Sequence, residues 1–218
     1  SVGNEWNEAP VDGCPAVAGS RFTLCLVHHV CWCRPGRCYV VGKSMRQTRE
    51  RPVVLITGAA TGVGRQCARR FAASGFDVVI NYLGPDEHDA KQTKDLVAEE
   101  SACGVLMKCD VSCDAEVCGM VAEIDSVFGR LDAVVNCAGT TEFVQHEDLD
   151  GMTESAWDRI LAVNTKGPFF VIRACAPLLQ RQPDAAIVNV ASVAGISGAG
   201  SCVAYCASKG ALNTMTKS

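Results

Sequence analysis

Short apolar runs alternate with stretches whose apolar residues fall three and four apart, from Arg51 to the end of the chain. The first run, VVLIT (Val53–Thr57), is short and β-branched, as a buried strand requires. VGRQCARRFAASG (63–75) switches to the helical period and ends on a glycine suited to a C-cap. The same alternation predicts strands over 77–82, 105–110, 131–136 and 185–192. It predicts helices over 87–102, 114–129 and 153–179, the last with a break near Gly167–Pro168, and a helical C-terminal stretch.

Runs that are almost wholly apolar belong to strands covered on both faces. Their alternation with helices predicts an α/β fold, a doubly wound parallel sheet with right-handed crossovers. Ligands of such a sheet bind beyond the carboxyl ends of its strands. Residues 1–50 show neither period, and Gly, Pro and Cys are scattered through them. They carry six Lys or Arg against four Asp or Glu, whereas residues 51–218 carry 14 against 20. The segment is therefore expected to be an irregular, poorly ordered N-terminal extension outside the functional unit. A stable proteolytic product beginning well before Val40 would contradict that.

Composition narrows the function classes. The 218 residues suffice for one domain with a full core, and 48% apolar with 20% charged residues is a globular balance. A net charge of −4 gives no footprint for nucleic acid or for an anionic membrane. No apolar run reaches the roughly 18 residues that a spanning helix needs. Of the 14 cysteines, five lie before Arg51, and several of the others (Cys137, Cys175) sit inside apolar patterns where a thiol packs as a small hydrophobe. Reduced thiols and a cytoplasmic compartment follow as expectations. Cys31-x-Cys33 followed by Cys38 is not a zinc spacing, and no metal site is expected.

The chemistry begins where the first strand ends. TGAATGVG (57–64) places glycines at 58, 62 and 64 between a strand and a helix. A backbone without Cβ turns tightly and approaches a pyrophosphate closely, and the helix that follows aims its N–H groups at the anion. Gly58, Thr61, Gly62, Val63 and Gly64 are thus candidate dinucleotide-binding residues. The second strand ends INYLGP, with Asn81 and Tyr82 beside the expected ribose. An acid there would bind the 2′-hydroxyl of NAD, but none appears before Asp86, which leans the choice towards NADP. No Lys or Arg follows immediately, so NAD stays open.

Near the C-terminus, YCASK puts Tyr205 and Lys209 four residues apart, on one face of a helix. Alone, such a pair is ordinary amphipathic spacing. Here it arrives after CDVS (109–112), NCAG (136–139), VNTKG (163–167) and VNVAS (188–192), in that order behind the glycine turn. Over residues 52–218 the chain resembles the short-chain dehydrogenase/reductase family, in the single-domain form close to 3-oxoacyl-carrier-protein reductases. The resemblance implies a Rossmann-type sheet and an NAD(P)-dependent oxidoreductase. It implies that Asp110 and Val111 hold the adenine, and that Asn136, Ala138 and Gly139 support the cofactor and central sheet. It also implies a catalytic tetrad of Asn164, Ser192, Tyr205 and Lys209, with the last two touching the nicotinamide ribose. Asn164 would hold a water relaying protons from Lys209.

The resemblance further implies a small carbonyl or alcohol substrate and a dimer or tetramer. Relatives continue beyond this point with a sixth strand, a substrate-covering segment and a seventh strand. The sheet is thus expected to lack its last strands, and the fifth strand of the domain could be left as an exposed apolar edge. Two readings remain at this stage: an oxidoreductase, or a truncated dinucleotide-binding or scaffold protein without turnover. The substrate is not legible.

Overall fold

The computed structural model describes residues 51–218 and one earlier strand. That strand is β1 (Thr23–Val27), and β2 (Val53–Ile56) opens the continuous part. There follow α1 (Gly62–Ala73), β3 (Asp77–Tyr82), α2 (Glu87–Glu99), β4 (Gly104–Lys108) and α3 (Asp114–Phe128). Next come β5 (Ala133–Asn136), α4 (Glu154–Leu161), α5 (Gly167–Leu179), β6 (Ala186–Val190), the short α6 (Ala194–Ser197) and α7 (Val203–Lys217). The six strands form one parallel sheet in the order β1-β6-β5-β2-β3-β4.

All four residues of β2 are buried, because both sheet faces are covered. On one face Val54, Ile56, Val78 and Ile80 pack with Ala68, Ala72, Ala90 and Val97 of α1 and α2. On the other, Leu55, Val79 and Val134 pack with Val117, Ile124, Val171 and Leu179 of α3 and α5. The chain runs β2, β3, β4 to one edge, then returns to lay β5 and β6 on the other side of β2. The neighbours β2 and β5 therefore send their following loops in opposite directions, which opens a crevice at their carboxyl ends.

Two features depart from the sequence expectations. The region 153–179 does not break at Gly167–Pro168. It runs from α4 through a π-helical turn, Ala162–Lys166, into α5, with Pro168 in the first turn of α5. Proline costs least in a first turn, where its missing N–H would have no helical partner. The second departure is β1, which lies inside the segment expected to be irregular. It pairs in parallel with β6, Cys25 opposite Val188, so the edge of β6 carries a strand. A five-residue run between unpatterned flanks gives too weak a periodic signal to register. The rest of residues 1–50, including Cys31, Cys33 and Cys38, lies outside the described residues.

Candidate active site

The glycine turn is built from the backbone outwards. Thr57, at the end of β2, donates its N–H to Val135 O, and its hydroxyl accepts from Cys137 N at 3.0 Å and Ala138 N at 3.1 Å. This residue, which sequence reasoning passed over, ties β2 to the loop after β5 across the crevice. Gly58 follows at φ +61°, and a Cβ there would lie 2.8 Å from Ala138 Cα. A Cβ on Gly64 would fall onto the Gly58 carbonyl oxygen. Asn81 is buried: its Oδ1 accepts from Gly58 N at 3.3 Å, and its amide donates to Met107 O and Cys109 O. It braces the turn and does not line the cavity.

Helix α1 begins beside this turn with no side-chain cap and no acid in its first turn. Its positive end is therefore uncancelled, which suits an anion. Arg65 is not free to take that anion. It donates to Ala60 O, Thr93 Oγ1 and Asp89, pinning the turn against α2.

The opposite side of the crevice is built from side chains. Cys202 caps α7, accepting from Tyr205 N, and the helix brings Tyr205 and Lys209 to the crevice. Lys209 Nζ lies 5.8 Å from the Tyr205 ring centre and donates to Val190 O at 2.9 Å. Lys209 is 5% exposed, and burial pulls its pKa below the ordinary lysine value, with the nearby Cys137 thiol opposing. Ser192 stands just beyond β6, its hydroxyl accepting from Ala194 N at 3.2 Å. Asn164 projects from the π-helical turn and is fully buried. Its Oδ1 accepts from Thr140 N at 2.8 Å, while Nδ2 donates to Thr140 O and Ser208 Oγ. Both amide protons are thus engaged, and a water at this side chain would have to donate to the remaining lone pair of Oδ1. A Cβ on Gly139 would sit 3.4 Å from Asn164 Oδ1 and 3.7 Å from Lys209 Nζ.

One cavity of about 910 Å³ joins the two sides. Its walls include Gly58, Thr61, Gly62, Val63, Gly64, Ala138, Gly139, Ser192, Tyr205 and Lys209. Asn81, Tyr82, Asp110, Val111, Asn136 and Asn164 are outside that lining. Asp110 lies in the loop after β4, bound by Ser112 N, Ser112 Oγ and Arg159. Burial works against its carboxylate, but the Ser112 hydrogen bonds and the Arg159 cation outweigh it and hold the pKa below the usual range. Val111 packs in the core, 2.9 Å from where a Cβ on Gly167 would be. Asn136 is interior: its Nδ2 donates to Asn189 Oδ1, whose own Nδ2 donates to Thr216 Oγ1.

The remaining polar groups nearby are structural. The nine described cysteines are free thiols. Burial pushes the Cys137 thiol up to about 11, with the Cys67 thiol adding to the effect, so it stays protonated and packs. His146 Nε2 meets Gly200 O at 3.1 Å, tying the loop after β5 to the one before α7. Among the described residues, no three His, Cys, Asp or Glu side chains group to hold a metal. No helix among them is long and apolar enough to cross a membrane.

An uncapped helix start faces this cavity, with a buried lysine and a tyrosine across from it, an arrangement that suits a dinucleotide. Residues 52–218 match the short chain dehydrogenase family, and the chain belongs to it. That family is a class of NAD(P)-dependent oxidoreductases. Among its relatives is the 3-oxoacyl-[acyl-carrier-protein] reductase FabG of Staphylococcus aureus, 36% identical over 177 residues, covering 80% of this chain and 68% of the relative. A crystal structure of a short-chain dehydrogenase/reductase from Burkholderia xenovorans superposes with a TM-score of 0.75 at 36% identity, covering 77% of this chain and 70% of the other. A metagenomic short-chain oxidoreductase in complex with NADP superposes with a TM-score of 0.70 at 29% identity, covering 75% and 72%. The chain spans about two thirds of the length of the curated relatives it matches.

Proposed function

We propose that this chain catalyses hydride transfer between a nicotinamide cofactor and a carbonyl or secondary alcohol, with Tyr205 as general acid and base and NADP as the preferred cofactor. The observation that carries the reading is the single cavity bounded at one end by the glycine turn and α1 and at the other by Tyr205, Lys209 and Ser192. The residues fit the cofactor. Nothing lies within 4 Å of a Cβ built on Gly62, the start of α1 has neither cap nor acid, and the ribose end is met by a buried cation.

When bound, the cofactor supplies or accepts the hydride at the substrate carbon. The rest falls to the protein. Reduction turns the carbonyl π pair into an alkoxide lone pair, and Tyr205 donates its phenolic proton to that oxygen. In oxidation Tyr205 takes the proton back. The Lys209 ammonium lies a turn away on the same helix face, 5.8 Å from the Tyr205 ring centre. Val190 O holds that ammonium in place. Ser192 donates to the substrate oxygen and orients it. Asn164 acts at one remove, fixing the Thr140 loop against α7. The relatives, which include a 3-oxoacyl-[acyl-carrier-protein] reductase and a short-chain oxidoreductase in complex with NADP, support a small ketone or 3-oxoacyl thioester and NADP. Free buried thiols support a reducing, cytoplasmic setting. A homo-oligomer is expected.

The test is NADPH oxidation against a panel of ketones and 3-oxoacyl thioesters, beside direct cofactor binding. Tyr205→Phe should lower turnover by at least about a hundredfold while cofactor binding persists. Survival of reduction near the parent rate in that variant would overturn the proton-transfer role. Binding without turnover in the parent chain would favour the scaffold reading.

A further inference from the structure

We propose that Lys108, at the end of β4, is the cation that recognises the 2′-phosphate of NADP and sets the choice between the two nicotinamide cofactors. The inference rests on the cofactor reading above. With pyrophosphate at α1 and the nicotinamide ribose at Lys209, the adenosine end must lie towards the carboxyl ends of β3 and β4. The cavity does reach in that direction, as far as Asp86.

In sequence, the end of β3 carries no basic residue. The sheet supplies one from the neighbouring strand. β3 and β4 pair in parallel with Tyr82 opposite Lys108, so both strands finish together. The Lys108 side chain then lies across Gly84, two residues past β3. A Cβ built on Gly84 would meet Lys108 Cε at 3.0 Å and Nζ at 3.3 Å. Glycine is what lets the ammonium lie over this turn.

The charges around it leave Lys108 available. The other lysine here, Lys91, is held by Glu87 at 2.7 Å. Lys108 is exposed and, among the described residues, enters no ion pair. It is felt by Glu87, whose carboxyl is held below its usual range first by the Lys91 hydrogen bond and charge and then, more weakly, by Lys108. Asp86 is the opposing group, an acid in the cavity wall that would repel a phosphate. Discrimination is then a contest between Lys108, which favours the 2′-phosphate, and Asp86, which disfavours it.

Dissociation constants for NADPH and NADH, read from ligand fluorescence on the full chain, test this without reference to turnover. Competition by 2′,5′-ADP against 5′-AMP isolates the phosphate. Lys108→Ala should weaken NADPH and 2′,5′-ADP by about tenfold or more while leaving NADH and 5′-AMP unchanged, since it removes one charge-assisted contact. Lys108→Arg should restore most of the loss, and Asp86→Asn should tighten NADPH. Gly84→Ala, which displaces the end of Lys108, should weaken NADPH by less than Lys108→Ala does. An unchanged NADPH-to-NADH ratio in Lys108→Ala overturns the inference and leaves the cofactor reading standing. Failure of the parent chain to bind either nucleotide overturns both.

Discussion

The two halves of the crevice are made of different materials. The half formed by β2, α1 and β3 presents backbone: three glycines, the N–H groups opening α1, and an asparagine whose amide is spent holding that backbone. The half formed by β5, β6 and α7 presents side chains to the cavity, with Lys209 held by Val190 O and the Thr140 loop held by the buried Asn164. A backbone site needs space and a fixed turn, so it is damaged by adding atoms. A side-chain site needs protons and charges held in place, so it is damaged by removing them.

The sharpest way to break that contrast is Gly64→Ala. Its Cβ would fall onto the Gly58 carbonyl, and the turn must deform or the helix shift. We expect loss of cofactor binding and about 3 kcal/mol of stability, read by denaturant melts beside nucleotide titration. A variant that bound NADPH normally would mean that the backbone half tolerates atoms after all. Asn164→Ala tests the other half. It leaves Thr140 N–H and Ser208 Oγ without their partner, at a cost of about 2 kcal/mol. Turnover should fall while cofactor affinity stays near the parent value. Equal loss of both would erase the distinction.

Thr216→Val is a milder probe of the same dependence. It removes the acceptor for Asn189 Nδ2 at the end of the Asn136–Asn189–Thr216 chain. About 1 kcal/mol should be lost in thermal or denaturant unfolding, with little effect on nucleotide binding. The smallest effect is the pH dependence contributed by Lys209. Burial depresses its folded-state pKa below the unfolded value of 10.5. Between the two values the unfolded chain binds more protons, so stability rises with pH there. Parent protein should therefore gain stability relative to Lys209→Met as pH is raised towards 10.5, and its reductase activity should lose the Lys209 cation at a lower pH than an ordinary lysine would dictate. A stability difference flat with pH would deny the depressed pKa.

Much of this was legible because it is local. The strands from β2 to β6 and the helices around them follow from short apolar runs alternating with the 3.6-residue period, and the glycine turn is one contiguous strand–turn–helix segment. Tyr205 and Lys209 share a helix, so their spacing alone puts them on one face. The π-helical turn under Asn164 was not legible, since a single added residue in a turn leaves the apolar pattern almost intact. Nor was the burial of Asn81 and Asn136, whose strand-end positions suited a cofactor equally well. β1 was hidden because the sequence on either side of it carries no periodic pattern, and its partner β6 lies more than a hundred residues further along.

The sequence by itself determined the alternation of elements, the glycine turn and the Tyr205–Lys209 spacing, and its motifs carried the family resemblance that implies the reaction class. The first three depend on neighbours within a turn or two of chain, where stereochemistry acts directly. Only the tertiary structure decided that Thr57 bridges to Cys137 across 80 residues, that Asn164 locks α7, and that Lys108 reaches over Gly84 from the next strand. Those contacts depend on which strands lie side by side and in what register. Register is fixed by burying whole sheet faces at once, and no short stretch of the chain carries that information.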